Sequence, residues 1–360
     1  MNRPDPRPRR IGISFGQLRT FHDGLGEVSQ QLGQRLAERA PALLEQEGLE
    51  LCFHLPERLH GHFGDTVRYL GTSALQRWAH LRGQRFDLWH SLHQFNPFRA
   101  PLGTAAVLQG VMDLNFLYFR SGTKIRKYLR RVDAQVARAD AVVTISHFVK
   151  GDIEQHLPSQ RPVHVIHLAS RDFSGQPRSA VSGLEPGRFF FHISRMAPSK
   201  NLGTLLDMMA GWPDKTLVLA GGDSGDGRAL QAEAQRRGLR NVVFHFDIDD
   251  AQKAWLLANC EAFMFPSLTE GFGLPALEAM FFGRPVFLSN LTSLPEVGGD
   301  QAVYWTDFAP AAMRQTVEQA LCGFDDAAAA RVRAHAQTFS WDRCTDEYLA
   351  LYRQLLGQPG

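Results

Sequence analysis

The chain has 360 residues, of which 44% are hydrophobic and 21% are charged, and its formal net charge is +2. This is the composition of a globular protein of about two domains, and the near-neutral balance gives no support to a nucleic acid or polyacid partner. Short apolar runs alternate with amphipathic segments along the first half. They predict helices at 28–39 and 124–137, and strands at 11–15, 51–55, 88–91, 105–109, 141–145 and 163–166.

The stretch 173–188 interrupts this alternation with two prolines, three glycines and several serines, which is a linker composition. The alternation then restarts, with helices predicted at 202–209, 228–237, 251–257 and 275–282, and strands at 189–193, 216–220, 242–245, 262–265 and 285–288. Alternating strands and helices predict an α/β fold with two doubly wound parallel sheets. Ligands of such sheets bind beyond the carboxyl ends of the strands, so we expect the site in a cleft between two facing halves.

The four cysteines form no Cys-x-x-Cys pair, and their spacing fits neither a disulfide framework nor a zinc site. We interpret them as reduced thiols of a cytoplasmic protein. The arm 1–10 is rich in Pro and Arg but lacks the apolar segment of a signal peptide, and no apolar stretch approaches the ~18–20 residues of a membrane span. Any membrane contact is therefore expected at the surface of the cytoplasmic membrane's inner face.

Two glutamates lie around a glycine-containing turn that follows the strand predicted at 262–265. The segment 266–280 reads PSLTEGFGLPALEAM, with Glu270 before the turn and Glu278 about one turn into the next helix. Carboxylates accept hydrogen bonds from vicinal hydroxyls, so the pair fits a sugar ligand. The alternative is that Glu270 is a loop charge and Glu278 a solvated helix residue.

The turn itself predicts an anion site. Backbone N–H groups of Phe272, Gly273 and Leu274 would point to a bound group, because a helix N-terminus carries free donors and partial positive charge. Gly271 and Gly273 allow the backbone to approach that group closely.

The string FPSLTEGFGLPALEAM resembles the family 4 retaining glycosyltransferases (glycosyl transferases group 1), whose motif is two glutamates separated by seven residues. The resemblance continues at 283–286 and 293–298 and covers nearly the whole chain. It implies the GT-B fold, with two Rossmann-like domains facing across a cleft and a C-terminal helix that crosses back to the N-terminal domain. It also implies that Glu270 lies by the donor sugar and Glu278 holds the nucleotide ribose.

The predicted domains follow from this resemblance and from the interruption at 173–188. An acceptor-side domain comprises 1–172 together with the closing helix at 340–360. The linker is 173–188, and the nucleotide-sugar-binding domain is 189–339.

Two cations follow the strand predicted at 189–193. Arg195 and Lys200 are able to hold a diphosphate leaving group, Arg bidentately and Lys as a point charge. The alternative is a solvated basic loop. The segment resembles the family's strand-Gly-Arg-x-x-x-x-Lys-Asn loop, with Ser194 where glycine is usual.

Two further segments resemble the family in the first half. Gly24 and Gly26 stand at the family's glycine loop, which closes over phosphates and acceptor, although two glycines without a GxGxxG pattern are weak by themselves. Asp113 lies in a segment similar to the family's His-Asp-Leu, with Met112 in the place of the histidine. Retaining enzymes of this kind need no protein base, because the leaving phosphate oxygen accepts the acceptor's proton, so Asp113 keeps only a contributing catalytic role.

Other polar clusters have plainer interpretations. His90 and His93 lack the spacing of a metal site, and we expect one packed and one exposed histidine. Asp247 and Asp249 form an Asp-x-Asp that binds metal in another glycosyltransferase fold, but Asp249 or Asp250 is an economical helix N-cap here. The prediction is that no metal and no cofactor is required.

The region 119–138 is locally basic, with apolar residues at helical spacing between the cations. One interpretation is an amphipathic helix that lies on an anionic membrane. The other is a crossover helix whose apolar stripe packs on the sheet.

The sequence thus predicts a metal-independent, retaining glycosyltransferase. It would move a hexose from a nucleotide diphosphate sugar to a glycan or lipid-linked acceptor in bacterial surface polysaccharide or lipopolysaccharide synthesis. The resemblance implies mannose as the sugar, because mannose donors are usual in the family. The alternatives are a sugar epimerase or phosphorylase of the same fold, or a noncatalytic nucleotide-sugar-binding subunit, which only the missing histidine at Met112 favours.

Overall fold

A computed structural model of the protein describes residues 7–18, 21, 24–78 and 85–357. The chain divides into two units, one formed by Met1–Leu168 with Ser340–Gly360 and the other by Ala169–Phe339. The stretch 173–188, predicted as a linker, belongs to the second unit. Its backbone is tied there, because the Gly187 N–H donates to the Asn259 carbonyl at 2.7 Å.

The first unit contains a sheet of seven described strands, all parallel, in the order β3-β2-β1-β4-β5-β6-β7. Its helices before residue 168 are α1 (Gly24–Glu47), α2 (Phe116–Phe119), α3 (Gly122–Val136) and α4 (His147–His156). Its strands are β1 (Arg9–Ser14), β2 (Leu49–Leu55), β3 (Arg68–Gly71), β4 (Leu88–Ser91), β5 (Ala106–Val111), β6 (Ala141–Thr144) and β7 (Val163–Val165).

The second unit repeats this plan with six described parallel strands in the order β10-β9-β8-β11-β12-β13. Its strands are β8 (Phe189–Ile193), β9 (Thr216–Gly221), β10 (Val242–Phe246), β11 (Ala262–Phe265), β12 (Val286–Ser289) and β13 (Val303–Trp305). Its helices are α5 (Leu202–Ala210), α6 (Gly225–Arg236), α7 (Asp250–Asn259), α8 (Leu274–Phe281), α9 (Leu294–Gly298), α10 (Pro310–Cys322) and α11 (Asp326–Gln337).

The last helix, α12 (Trp341–Leu355), returns to the first unit, as the sequence predicted. Ser340 caps it, and the buried rings of Tyr348 and Tyr352 pack on His90 of β4. At its end Arg353 forms a bidentate pair with Glu47 of α1, at 2.7 and 2.8 Å, and this hydrogen bonding lowers the pKa of Glu47.

The basic helix α3 packs by its apolar stripe. Val132 and Val136 are fully buried in a core with β5 and β6, and Tyr128 and Leu129 pack against the same core. The stripe is therefore occupied by the protein, as the crossover interpretation predicted, while the cations between its members are exposed. No helix in the described ranges combines the length and apolarity that crossing a membrane requires.

Candidate active site

The strand order of the second unit reverses between β8 and β11, and ligands of doubly wound sheets bind beyond the carboxyl ends at such a point. The loop after β8 carries Arg195 and Lys200, and the loop after β11 carries Glu270. Strand β11 is apolar and buried along its whole length, whereas β8 is buried over its first four residues and contains one polar residue, His192. This topology brings together three of the predicted site residues, although Glu270 lies 70 or more positions after Arg195 and Lys200 in the sequence.

Lys200 and Glu270 form the central contact of this site. The Lys200 Nζ lies 2.5 Å from the Glu270 Oε1, and each side chain is only 12% exposed. The ammonium also lies 5.5 Å from the centre of the Phe265 ring, at the end of β11. An ion pair removed from water to this extent holds both charges in place, because each needs the other for solvation.

The backbones of the two loops are joined beside that pair. The Leu268 N–H donates to the Ser199 carbonyl at 2.8 Å, and the Ser267 hydroxyl donates to the same carbonyl at 3.3 Å. Asn201, next to Lys200, adopts the left-handed conformation at φ 56°, which starts α5 directly after the loop. The Lys200–Glu270 geometry is therefore fixed by the main chain as well as by charge.

A third segment, between β12 and α9, supports the Glu270 loop. The Glu270 N–H donates to the Thr292 Oγ1 at 3.1 Å, and the Ser293 hydroxyl contacts the carbonyls of Glu270 and Phe272 at 3.0 Å each. Thr292 has φ 55°, a conformation that a β-branched residue adopts only when its surroundings enforce it.

Glu278 lies in the second turn of α8, 9% exposed at its side chain, and its Oε1 is 2.7 Å from the Lys253 Nζ of α7. Lys253 in turn stands over the Phe173 ring at 4.4 Å. The interpretation of Glu278 as a solvated helix residue is wrong, because the carboxylate is buried and paired.

In the first turn of α8, the residues whose N–H groups are absent or already used follow the predicted donors Phe272, Gly273 and Leu274. Pro275 has no N–H, and the N–H groups of Ala276 and Leu277 donate to the Gly273 carbonyl. Of this first turn, the Leu274 N–H remains for a ligand. Gly273 has φ 115°, and a Cβ there would lie 2.7 Å from Leu294, so only glycine fits.

Arg195 is exposed, and its guanidinium makes no ion pair or side-chain hydrogen bond within the described part of the chain. It is thus the cation of this loop that is available to an anionic ligand. The next residue, Met196, is buried at φ 52°, which turns the chain sharply after Arg195.

Residues 178–323 match the profile of a protein family described as Glycosyl transferases group 1. O-antigen chain mannosyltransferase B of Escherichia coli is 27% identical over 298 residues, which are 78% of this chain and 77% of that protein. The chain is a glycosyltransferase, and its segment 178–323 is similar to the glycosyl transferases of group 1. Serotype-specific mannosyltransferase WbdA of Escherichia coli is 30% identical over 249 residues, 63% of this glycosyltransferase but only 30% of WbdA.

The fold of the glycosyltransferase agrees with solved structures. Sucrose-phosphate synthase from Thermosynechococcus elongatus superposes with a TM-score of 0.74 at 18% identity, covering 97% of this chain and 99% of that one. This confirms the predicted GT-B fold of two Rossmann-like domains.

The predicted residues of the first unit lie near strand ends of their own sheet. Gly24 begins α1 and Gly26 is buried in its first turn, whereas His22 and Asp23 of the same segment lie outside the described residues. After β5, the Asp113 Oδ1 accepts the Asn115 N–H at 3.0 Å. The Met112 N–H donates to the Gln94 Oε1.

The two histidines after and within β4 differ from the expectation in one respect. His90 is fully buried, with its Nδ1 2.7 Å from the Tyr352 hydroxyl, and burial lowers its pKa to about 3. His93 is partly buried rather than exposed, because its ring lies beside the backbone of Gly16.

Both aspartates of the Asp-x-Asp sequence accept hydrogen bonds from backbone N–H groups. Asp249 caps α7, accepting the Gln252 N–H at 2.7 Å while the Gln252 side chain accepts the Asp249 N–H. The Asp247 Oδ1 accepts the Asp223 N–H at 3.0 Å. The N-cap interpretation is confirmed for Asp249.

Sequence reasoning missed the residues that support the site, namely Lys253, Thr292 and Ser293. Lys253 sits mid-helix 25 positions before its partner, with no pattern that links the two. Ser293 did carry a signal, since it opens the second stretch that resembles the family.

Proposed function

We propose that the glycosyltransferase moves a hexose, mannose in the first instance, from a nucleotide diphosphate sugar to a glycan or lipid-linked acceptor of bacterial lipopolysaccharide or surface polysaccharide. The observation that carries the proposal is the Lys200–Glu270 pair, set at the switch point of the second sheet beside Arg195 and α8. Both E. coli relatives are mannosyltransferases, and one of them is a mannosyltransferase of the O-antigen chain, which supports the choice of sugar and product.

The charges of the site suit a diphosphate that leaves during the reaction. Lys200 and Lys253 are each balanced by a glutamate, so Arg195 and the Leu274 N–H provide the uncompensated positive field. An incoming diphosphate would compete with Glu270 for Lys200, and the released carboxylate would accept hydrogen bonds from the donor sugar. Preorganised donors of this kind stabilise the charge that develops on the leaving oxygen.

The proposed mechanism retains anomeric configuration and uses no metal. The leaving phosphate oxygen takes the acceptor proton on the face from which it departs, so the site needs cations and orientation rather than a protein base. Arg195 would grip the diphosphate bidentately, and Glu278 would hold the ribose hydroxyls. Asp113, Gly24 and Gly26 of the first unit are assigned the acceptor side.

The test is a donor panel with EDTA present, in which GDP-mannose, UDP-glucose and UDP-galactose are offered in turn with nucleoside diphosphate release as the readout. We expect release from one donor, reduced about a hundredfold in kcat/KM by Lys200→Ala, and abolished binding in Glu278→Ala. Lys215→Ala removes a similar ion pair, with Glu261, and serves as the control. Activity that EDTA abolishes, or turnover of no donor, would overturn the proposal.

Membrane contact is proposed as purely electrostatic and at the inner face of the cytoplasmic membrane. The exposed cations of α3 are Lys124, Arg126, Lys127, Arg130 and Arg131. Each would contribute ~1 kcal/mol at an anionic leaflet, and the apolar stripe is not available for insertion. Flotation with phosphatidylglycerol liposomes should occur at low salt and disappear in high salt, and lack of flotation at low salt would refute it.

A further inference from the structure

A chain of hydrogen bonds links the buried His192 to the residues on both sides of Arg195. The His192 Nδ1 is 2.7 Å from the Met264 carbonyl, and the His192 Nε2 is 2.7 Å from the Ser194 Oγ. The Ser194 Oγ also accepts the Met196 N–H at 3.1 Å. His192 has no exposed surface, so its bond to the Met264 carbonyl is shielded from solvent, whereas Ser194 is partly exposed.

The chemistry of the partners fixes the direction of each bond. A carbonyl only accepts, so the His192 Nδ1 carries the hydrogen and donates to Met264. Burial lowers the pKa of His192 to about 3, so the ring is neutral and its Nε2 is an acceptor. The Ser194 hydroxyl therefore donates to Nε2 and uses its oxygen for the Met196 N–H. Every member has the partner that its chemistry requires.

This relay determines the path of the chain on both sides of Arg195. The Ser194 N–H donates to the Ala220 carbonyl at 3.0 Å. The Ser194 carbonyl lies close to Gly221, and a Cβ added to Gly221 would be 2.0 Å from the carbonyl oxygen. Met196, at φ 52°, is kept in an unfavourable conformation by the bond to Ser194. Without the hydroxyl, the Met196 N–H would lose this acceptor.

The same ring contributes to the placement of Lys200. His192 stacks on Phe265 with centroids 5.4 Å apart, and the Lys200 ammonium stands 5.5 Å from the centre of that ring. A neutral His192 adds no positive charge beside Lys200. The imidazole thus joins the β8 loop, through Ser194, to the end of β11, through Met264 and Phe265.

We propose that Ser194 and His192 are positioning residues for donor binding, which fix the Arg195 loop and the Phe265 surface under Lys200 through one hydrogen-bonded relay. The proposal rests on the donor site proposed above. It also explains why Ser194 stands where the resemblance predicts a glycine, because a glycine would lack the hydroxyl that links His192 to Met196. Neither residue is assigned a contact with the donor.

The experiment compares Ser194→Ala, Ser194→Thr and Ser340→Ala in the full chain. Ser340→Ala is the matched control, since it deletes a serine hydroxyl that accepts a backbone N–H at the same 3.1 Å, at the start of α12. Calorimetry with GDP and with UDP identifies the nucleoside diphosphate that the wild type binds. We expect Ser194→Ala to weaken that binding by about three- to tenfold, the effect of one net hydrogen bond, with recovery in Ser194→Thr and no change in Ser340→Ala.

A spectroscopic readout separates positioning from general damage. In 15N-histidine-labelled protein, the His192 resonance should show a protonated Nδ1 and a bare, hydrogen-bonded Nε2, and Ser194→Ala should shift Nε2 alone. A protonated Nε2 in the wild type would overturn the relay. Equal binding by wild type and Ser194→Ala would overturn the positioning role, whereas a wild type that binds neither GDP nor UDP would overturn the donor site itself.

Discussion

Lys253 and Lys215 make the same two contacts in different places. Each pairs with a glutamate, Glu278 at 2.7 Å and Glu261 at 2.6 Å, and each stands over a phenylalanine ring. Only the first pair includes a residue assigned to the donor. The comparison therefore separates the effect of losing an ion pair from the effect of losing the orientation of Glu278.

Lys253→Met is expected to raise the donor KM about tenfold while kcat changes less. Glu278 would keep its buried position but lose the cation that orients it, so the proposed ribose contact weakens in ground and transition states alike. Steady-state kinetics with the donor found in the panel provide the measurement.

Lys215→Met is the control, and its donor KM should stay within about twofold of the wild-type value, by the additivity of distant sites. Equal KM increases in both variants would mean that the effect is loss of stability and not loss of orientation.

Helix α12 packs on the rest of the first unit through two tyrosines, which differ in the hydrogen bonding of their hydroxyls. The Tyr352 hydroxyl is 2.7 Å from the His90 Nδ1, whereas the buried Tyr348 hydroxyl has no hydrogen-bond partner within the described residues. Both rings are fully buried. The helix therefore offers a matched pair for measuring what one buried hydrogen bond contributes to its docking.

Tyr352→Phe should lower the free energy of unfolding of the first unit by about 1–3 kcal/mol, because it leaves a buried imidazole nitrogen without its partner. Tyr348→Phe should be neutral or slightly stabilising, since it removes a hydroxyl whose burial is not compensated. Urea unfolding of both variants tests the difference, and an equal loss in the two would contradict it.

The elements that could be predicted from sequence are those with a long enough apolar run. The runs at 189–193 and 262–265 match β8 and β11 at both ends, because a strand buried on both faces is mostly apolar; His192 is the polar exception in β8. Strand β3 was missed, since its four residues, RYLG, have no apolar run, and β13 was missed because three residues give no periodicity.

The candidate site was predictable only in part, for a similar reason. Glycines, cations and glutamates at strand ends identify which loops meet, so the residues of the two loops were named from sequence. The Lys253–Glu278 pair and the His192–Ser194–Met196 relay depend on side-chain packing between separate elements. Such contacts are not predictable from local sequence.

Two fully buried histidines whose pKa is strongly lowered are divided between the units. His90 belongs to the first and His192 to the second, and burial lowers the pKa of each to about 3. Burial also lowers the pKa of His164 and His245, which act in the same direction. Sensitivity to acid is thus built into both units.

Stability should fall as the pH falls from 7.5 to 5.0. The unfolded chain binds a proton on each histidine near pH 6.5, whereas the folded chain does so only near pH 3, so the unfolded state holds more protons between these values and stability rises with pH. At 1.36 kcal/mol per unit, each of the two histidines costs about 2 kcal/mol by pH 5.0. Urea midpoints at both pH values measure the loss. His90→Gln should reduce it in the first unit and leave the transition of the second unit unchanged, and a pH-independent midpoint in the wild type would show that these histidines take up protons in the folded protein as readily as in the unfolded chain.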